Sequence, residues 1–455
     1  MNIQSVLIAN RGEIALRVVR ACRELGLRSV AVYAKGDEQS LHTKAADRAI
    51  CVGPREIGAS YLDADALITT ALATGADAIH PGYGFLSESA DFARRVEEVG
   101  LRWIGPPPDA IARMGDKAMA RATMRAAGVP VVPGSPGLLT DKASARLLAE
   151  GIGYPVLIKA TAGGGGKGMR AVESEAELEQ ALMLARAEAG SAFGKDGVYL
   201  EKLLRSVRHI EVQVLADRHG NTVHLWERDC SAQRRRQKLI EEAPAPGLPA
   251  EVRDAMGDAA VAAARAVDYH GAGTVEFIYD PASKEFYFME MNTRIQVEHP
   301  VTEAITGIDL VQAQIRVAAG EPLAWTQQDI LSRGHAIECR VNAEDPETFI
   351  PNAGTLQEFI PPGGPFVRVD THCYTGYTVP PFWDSLLAKI IVWAPSRDEA
   401  IARMERALAE FRVRGLATTI PLSLRLLEHR TFRDGQLMTH SVETDVLHQA
   451  LEKGA

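Results

Sequence analysis

The sequence is poor in cysteine and shows no cysteine motif. Its 455 residues include five cysteines, which are scattered without any CxxC pair, at Cys22, Cys51, Cys230, Cys339 and Cys373. An odd, dispersed set argues against a disulfide framework and against a structural zinc site. Because unpaired cysteines are typical of reducing compartments, we expect a cytoplasmic location.

Targeting segments and an excess of positive charge are also missing. The first nine residues contain no basic segment, and no run of about 18 apolar residues occurs, so neither a secretory signal nor a membrane-spanning helix is predicted. The 59 Asp and Glu residues outnumber the 50 Lys and Arg residues, which gives a formal charge of −9. This balance argues against nucleic acid and membrane surfaces as partners.

The composition is that of a folded protein with several domains. The chain is 46% hydrophobic and 24% charged, as in soluble globular proteins, and its length suggests about three domains. The first hundred residues alternate between strand patterns (5–9, 29–34, 78–80 and 102–104) and helix patterns (13–25 and 91–99). This alternation predicts an open, parallel, Rossmann-like α/β domain over residues 1–114.

Prolines and changes of pattern divide the rest of the chain. A helix is predicted over residues 110–127, with a linker at 115–132. Residues 133–204 combine strands at 154–161, 168–172 and 198–203 with a helix at 176–189, which predicts a small lid domain. Residues 205–446 contain two hairpin patterns, 210–215 with 223–227 and 275–280 with 285–292, and a helix at 250–269. They predict a mixed, largely antiparallel C-terminal domain.

A run of four glycines lies between two apolar strand patterns in the predicted lid. Glycine allows backbone amides to approach an anion, and such amides bind phosphate oxygens. Lys159 and Lys167 add positive charge on either side of Gly163–Gly166. No helix follows the run, unlike the Walker and dinucleotide-binding loops. The pattern favours a flap over a nucleotide, although a flexible surface loop is the simpler alternative.

Two carboxylates are expected to face each other across the second hairpin. If residues 281–284 form the turn with its centre near Ser283, Glu276 lies opposite Glu290, and Asn292 shares their face. Like charges in this position are destabilising, and hard oxygen ligands suit Mg²⁺ or Mn²⁺. The sequence therefore predicts a metal site, the alternative being an exposed strand face with solvated acids.

The next residues, TRIQVEH, have the composition of an anion clamp. If the segment is extended, Arg294, Gln296 and Glu298 join one face at period two. A guanidinium can fork onto an anion such as a carboxylate, and Glu298 could act as a general base. A structural Arg294–Glu298 ion pair is the alternative.

Two further segments carry candidate binding groups. The segment RDCSAQRRRQK groups Arg234, Arg235, Arg236 and Lys238, which suit either a solvated surface or a phosphate or carboxylate ligand. The segment HPGYGFLSE follows a strand at the position where open α/β sheets place ligand loops. Its first residue, His80, is expected to be a hydrogen-bonding core residue.

With these segments taken together, the sequence closely resembles biotin carboxylase, a member of the ATP-grasp superfamily, in the form of the stand-alone subunit of bacterial acyl-CoA carboxylases. The resemblance runs nearly end to end through IANRGEIALRVVRAC, HPGYGFLSE, GPP with MGDK, IKATAGGGGKGMR, RDCSAQRRRQK, EEAPAP, FMEMNTRIQVEHPVTE and HAIECRVNAEDP. It implies an ATP-grasp fold of mixed α/β and α+β class. It also implies ATP-dependent carboxylation of biotin, carried on a separate protein, with bicarbonate.

The resemblance also implies roles for individual residues. ATP would contact Lys117, Lys159, Gly165, Gly166, Glu201, Lys202, Leu203, Leu204, His209, Gln233, Arg236, Glu276 and Glu290. Two Mg²⁺ or Mn²⁺ ions would bind Glu276, Glu290 and Asn292. Bicarbonate would lie among Lys238, Arg294, Gln296 and Val297, with Glu298 as its base. Arg340 would stabilise the biotin enolate, and Tyr83 would lie beside the ureido ring.

The implied partners follow from the same family. No Met-Lys-Met biotinylation motif occurs, so the biotin carboxyl carrier protein and the carboxyltransferase are expected to be separate chains. A homodimer is implied, with Arg17, Arg20 and Glu24 at positions linked to the biotin site and the dimer. Arg236 stands where a histidine often contacts the nucleotide, which puts only that contact in doubt.

Two other functions stay open from the residues alone. Another ATP-grasp ligase, which joins an acyl phosphate to an amine, would share the glycine flap and the metal ligands. It would lack the TRIQVEH clamp and would ignore bicarbonate. A non-catalytic nucleotide sensor would bind ATP without turnover, but it has no evident need for Lys238, Arg294 and Glu298 together.

Overall fold

The computed structural model describes residues 3–135, 137–139, 141–160, 169–193 and 197–447. The N-terminal part is a parallel sheet of five strands in the order β3-β2-β1-β4-β5. Its strands are β1 (Ser5–Ile8), β2 (Arg28–Ala34), β3 (Arg48–Gly53), β4 (Ala78–His80) and β5 (Arg102–Trp103), connected through the helices α1 (Gly12–Glu24), α2 (Leu41–Ala45), α3 (Ala64–Thr74) and α4 (Ala90–Glu98). The predicted parallel α/β fold of this part is confirmed.

The single helix predicted over residues 110–127 is wrong, because two helices occupy this stretch. They are α5 (Pro108–Gly115) and α6 (Lys117–Ala126). Asp116 between them is extended, with φ −89° and ψ 111°. Its carboxylate accepts a hydrogen bond of 2.8 Å from the backbone N–H of Met119. Asp116 therefore caps the start of α6 in the manner preferred for aspartate, and the helical spacing alone did not show the break.

The region predicted as a lid contains a small antiparallel sheet covered by two helices. Its strands, in the order β7-β6-β8, are β6 (Val156–Ala160), β7 (Met169–Val172) and β8 (Val198–Lys202), and its helices are α7 (Lys142–Ile152) and α8 (Glu175–Phe193). Alternate residues of the strands, such as Val156 and Ile158, pack against Leu178 and Leu182 of α8. The glycine run, with Gly165 and Gly166, lies outside the described residues.

The C-terminal part is built on an antiparallel sheet of eight strands in the order β13-β12-β9-β10-β11-β14-β19-β17. These strands are β9 (Arg208–Ala216), β10 (Thr222–Arg234), β11 (Gln237–Ala243), β12 (Gly271–Asp280), β13 (Glu285–Asn292), β14 (His335–Asn342), β17 (Val367–Thr371) and β19 (Leu386–Ala394). Two further pairs join β15 (Gly354–Thr355) to β18 (Thr378–Val379) and β16 (Glu358–Ile360) to β20 (Arg412–Arg414).

Helices cover this large sheet and join it to the N-terminal part. They are α9 (Ala250–Arg265), α10 (His299–Thr306), α11 (Leu310–Ala319), α12 (Arg397–Glu410), α13 (Ile420–Glu428) and α14 (Arg430–Arg433), followed by a π-helix at Val442–Leu447. Ile14 and Val18 of α1 share one apolar core with Leu215 of β9 and Val311 of α11. Among the described helices, none combines the length and the apolar character needed to cross a bilayer.

Candidate active site

The second hairpin places two carboxylates face to face. Glu276 of β12 pairs directly with Glu290 of β13, so the predicted opposition is confirmed. The next pair along the hairpin is Phe277 with Phe288, so Met289 is an extra residue in β13 and forms a bulge. This bulge brings Glu290 opposite Glu276. In a regular strand, Phe288 and Glu290 would share a face. The extra residue turns Phe288 into the core and leaves Glu290 beside Glu276.

The chemistry of this pair fits a divalent cation. Burial and the charge of Glu276 raise the pKa of Glu290. Burial also opposes ionisation of Glu276, but Lys238 and His209 outweigh it and hold its pKa low. Asn292 donates a hydrogen bond of 2.8 Å to Glu276, so its amide lies at the same place. Two carboxylates and an amide oxygen are the donors that Mg²⁺ and Mn²⁺ prefer, and a cation would offset the repulsion between the carboxylates.

Lys238 lies at the centre of the acidic groups. Its Nζ is 2.7 Å from Glu211 Oε2, 3.1 Å from Glu276 Oε1 and 2.5 Å from Glu298 Oε1. Although burial opposes its charge, these three carboxylates raise the pKa of Lys238 well above its usual value. Lys238 is therefore a fixed cation that joins the carboxylate pair of the hairpin to Glu298.

Glu298 is buried and bound by two cations. Its Oε2 accepts a hydrogen bond of 2.9 Å from Arg340, and its Oε1 is bound by Lys238. Burial would raise its pKa, but Lys238, Arg340 and Arg228 together hold the pKa well below its usual range. Arg340 is fixed in turn by Glu241, whose Oε1 lies 2.6 Å from the guanidinium. The arrangement can therefore present an unprotonated carboxylate between two cations.

The TRIQVEH segment is not the extended strand that was expected. Strand β13 ends at Asn292, and the residues up to Glu298 form bends and a turn that lead into α10. The side chains nevertheless converge, because Gln296 donates to Glu276 over 2.8 Å. Arg294 donates to Asn292 over 2.9 Å and to Glu88 over 3.0 Å. Arg294 and Glu298 therefore have separate partners, in contrast to the alternative of an ion pair between them.

The residues expected around the nucleotide occupy several elements. Lys159 of β6 and Arg121 of α6 both form ion pairs with the buried carboxylate of Glu201 on β8. Lys117, the first residue of α6, is exposed. The Nζ of Lys202 donates to the carbonyl of Gly153 over 2.8 Å. The remaining members differ in burial: Leu203 and Leu204 are half-buried, Gln233 is buried, and Arg236 is exposed in the turn between β10 and β11.

His209 and Tyr83 each contact a buried carboxylate. His209 Nε2 is 3.2 Å from Glu276 Oε2, and the charge of Glu276 helps to raise its pKa against the effect of burial. The hydroxyl of Tyr83 donates to Glu13 at the start of α1. His80, the last residue of β4, is buried, and its Nδ1 accepts a hydrogen bond of 3.0 Å from the N–H of Gly82.

Comparisons with known proteins match nearly the whole chain. Three family models match: the biotin carboxylase N-terminal domain at residues 2–111, the ATP-binding domain of the carbamoyl-phosphate synthase L chain at 116–326, and the biotin carboxylase C-terminal domain at 338–444. Biotin carboxylase 1 of Bacillus subtilis is 56% identical over 443 residues, which cover 97% of this chain and 98% of the relative. The chain belongs to the biotin carboxylase family.

Solved structures of this family have the same fold. The complex of Campylobacter jejuni biotin carboxylase with β,γ-ATP has a TM-score of 0.89 and 47% identity, and the match covers 96% of this chain and 98% of that one. The biotin carboxylase domain dimer of the Hydrogenobacter thermophilus 2-oxoglutarate carboxylase, in complex with MgADP, ADP and bicarbonate, has a TM-score of 0.88 and 48% identity, with 99% and 98% covered. The predicted ATP-grasp fold is confirmed.

Four residues around the candidate site were not predicted from the sequence: three are buried, and the fourth, Glu88, is exposed. Glu211 of β9 pairs with Glu276 in the sheet and binds Lys238. Its position follows from the adjacency of β9 and β12, which are far apart along the chain. Arg228 begins the segment RDCSAQRRRQK, in which only the basic residues from Arg234 onward were considered as ligands. Glu88 and Lys389 contact the TRIQVEH segment from other parts of the fold, and no local pattern identified them.

Proposed function

We propose that this chain uses ATP and bicarbonate to carboxylate biotin, giving carboxybiotin, ADP and phosphate. Membership of the biotin carboxylase family supports this function, as do the nucleotide and bicarbonate bound in the related structures. The observation that carries it is the buried Glu298 carboxylate, which accepts hydrogen bonds from both Lys238 and Arg340. An unprotonated base beside an anion clamp is what bicarbonate requires, because bicarbonate is a poor nucleophile until it loses its proton.

In this proposal, the clamp and the base act on bicarbonate. Lys238, Arg294, Gln296 and the backbone of Val297 bind the anion, and Glu298 accepts its proton. The bicarbonate oxygen then forms a bond to the γ-phosphorus of ATP, and the bond from that phosphorus to ADP breaks. The product is carboxyphosphate, which water would destroy, so exclusion of water is part of the function.

The metal ligands and lysines act on the phosphates. Glu276, Glu290 and Asn292 would hold two divalent cations. When bound, these cations would neutralise the negative charge of the phosphates. Lys117, Lys159, Gly165 and Gly166 would contact the phosphates. Glu201, Lys202, Leu203, Leu204, His209, Gln233 and Arg236 would complete the nucleotide site.

Arg340 and Tyr83 belong to the biotin side of the proposed site. Arg340 would stabilise the negative charge on the ureido oxygen when the ureido nitrogen loses its proton and bonds to the carboxyl carbon of carboxyphosphate. The bond from that carbon to the phosphate oxygen breaks, and phosphate leaves with the proton. Its hydrogen bonds to Glu241 and Glu298 fix the guanidinium at one end of the base. Tyr83 would contact the ureido ring.

We also propose the domain division 1–114, 115–132, 133–204 and 205–446, with residues 133–204 closing over the nucleotide.

The partners would be a biotin carboxyl carrier protein and a carboxyltransferase of an acyl-CoA carboxylase, as in fatty acid biosynthesis. A homodimer is supported by the dimer of the related Hydrogenobacter domain. All five cysteines are free thiols, which supports a cytoplasmic location.

The decisive experiment measures ADP release with and without bicarbonate and free biotin. The wild-type chain should require bicarbonate and be stimulated by biotin. Glu298→Gln removes the base while keeping the shape of the side chain, so we expect activity to fall about 10²- to 10⁴-fold. The control is Glu251→Gln, at an exposed position in the first turn of α9. Full biotin-dependent turnover by Glu298→Gln would contradict the assignment of the base, and wild-type turnover with an amine acceptor instead of bicarbonate would contradict the function.

A further inference from the structure

A buried lysine, Lys389, contacts both the bicarbonate segment and the biotin side of the proposed site. Lys389 of β19 has no exposed side-chain surface. It pairs with Arg340 of β14 on one side and with Asp370 of β17 on the other, so these three side chains share a face of the large sheet. A buried ammonium needs partners for its charge and its protons. The identity of those partners shows what Lys389 does.

The first partner is the backbone of the bicarbonate segment. Lys389 Nζ donates a hydrogen bond of 2.8 Å to the carbonyl oxygen of Val297. This carbonyl belongs to the peptide that joins Val297 to Glu298. The segment has no strand hydrogen bonds to hold it at this point, because it forms a turn before α10. Lys389 therefore fixes the peptide plane from which the Glu298 side chain departs.

The second partner leads to the biotin side. Lys389 Nζ is 3.0 Å from Glu13 Oε1, and the same carboxylate oxygen accepts the hydroxyl hydrogen of Tyr83. The ammonium also lies 6.0 Å from the centre of the Tyr83 ring. Glu13 lies in the first turn of α1, so the contact crosses from the large sheet to the N-terminal part of the chain.

We propose that Lys389 is a positioning residue that fixes Glu298 and Tyr83 relative to each other, so that base and biotin contact are set by one ammonium group. This inference rests on the proposed function. A purely structural role is the alternative, since Lys389 also offsets the charge of neighbouring acids. Asp370, however, already has a bidentate partner in Arg368, at 3.0 Å and 2.6 Å. The contacts with Val297 and Glu13 are the ones that reach the site.

The test compares Lys389→Met, which keeps an unbranched side chain but loses the charge and the donors, with the wild-type chain. Misplacement of a catalytic group by about 1 Å can lower a rate about 100-fold, so we expect kcat to fall at least about tenfold. The KM values for bicarbonate and for biotin should both rise, and the KM for ATP should stay within about twofold. A structural role alone would lower the melting temperature and the active fraction without this selective change in KM.

A double-mutant cycle with Tyr83→Phe tests the connection itself. If Lys389 acts on biotin through Glu13 and Tyr83, the double variant should have the biotin KM of Lys389→Met alone. Multiplicative effects on the biotin KM, or equal increases of all three KM values, would overturn the proposal. Glu13→Gln is the second variant in case Lys389→Met does not fold, because it removes only the charge that faces Lys389. It should raise the KM for biotin and for bicarbonate, and unchanged values would overturn the proposal.

The matched control is Arg253→Met, which removes a cation from the buried carboxylate of Glu227 and a donor from the carbonyl of Ala245. It should lower stability without a selective change in KM. Wild-type ADP release is measured first. If it does not depend on bicarbonate, the proposed function fails and this inference fails with it. If the wild type depends on bicarbonate and biotin but the variants keep its KM values, only the role of Lys389 is overturned.

Discussion

Arg228 has no exposed side-chain surface, yet its guanidinium binds five side chains of the site and its surroundings. The partners are Glu211, Gln213, Thr274, Gln296 and Thr302. The contact with Gln296 has a direct chemical consequence. Because the amide oxygen of Gln296 accepts from Arg228 over 2.7 Å, its amide nitrogen points at Glu276, over 2.8 Å. Arg228 thus sets the orientation of the Gln296 amide, which belongs to the proposed bicarbonate clamp.

Arg228→Lys should therefore impair the clamp more than the nucleotide site. A lysine keeps the charge beside Glu211 but lacks the planar set of donors that also reaches Gln296. We expect the KM for bicarbonate to rise about tenfold, as for loss of one hydrogen bond to a charged group, with the KM for ATP nearly unchanged. Steady-state kinetics with each substrate varied in turn measures both values. Equal changes in the two KM values would show that Arg228 supports the fold as a whole instead.

At the scale of single elements, the sequence predicted the hairpin of the carboxylates better than the segment that follows it. The pairing of Glu276 with Glu290 was predicted by placing the centre of the hairpin near Ser283, which is midway between them. The bulge at Met289 that reconciles this pairing with the four-residue turn was not visible. The period-two pattern of TRIQVEH was misleading, because convergence there depends on Arg228, Glu88 and Lys389. These partners come from remote parts of the chain, which no local pattern shows.

Glu290→Gln tests the hairpin as a metal-binding element. The amide keeps the size of the side chain but removes one of the two opposed charges. The hairpin itself should become slightly more stable, because repulsion from Glu276 is lost. Cation binding should weaken, so the Mg²⁺ concentration for half-maximal activity should rise at least about tenfold. Activity measured against Mg²⁺ at fixed ATP gives this value, and an unchanged Mg²⁺ dependence would contradict the metal assignment.

At the scale of the whole molecule, buried charge clusters join elements that are distant in sequence. Glu242 of β11 accepts hydrogen bonds from His335 of β14, over 2.8 Å, and from Arg397 at the start of α12, over 2.7 Å. Arg397 also donates to the backbone carbonyls of Phe432 and Arg433 in α14. The cluster therefore attaches the C-terminal helices to the large sheet. The order of elements was predictable from sequence periodicity, but this attachment was not.

The stability of this attachment should depend on pH. Burial would raise the pKa of Glu242, but His335 and Arg397 lower it from 4.5 to about 2. A lowered pKa stabilises the folded state above the unfolded-state value, and this stabilisation is lost as the pH falls from about 4.5 towards 2. Glu242→Gln should reduce the free energy of unfolding by about 3 kcal/mol at pH 7.

Urea unfolding from pH 7 to pH 3 tests this expectation, with Glu428→Gln at an exposed position of α13 as the control. The difference between the wild-type chain and Glu242→Gln should be constant above about pH 5 and should shrink below it. A difference that is the same at pH 7 and pH 3 would show that the ionisation of Glu242 has no part in the attachment.

Because of the bulge at Met289, two successive residue pairs of the β12–β13 hairpin face different surroundings. Phe288 pairs with Phe277 in the hydrophobic interior, and the very next pair, Glu276 with Glu290, is the one proposed to bind the cation. Because Phe277 and Glu276 are adjacent in β12, we expect a change in the packing of those aromatic rings to displace the Glu276 carboxylate. If the proposed metal site is right, substitutions that loosen the core around Phe277 and Phe288 should also raise the magnesium concentration needed for activity.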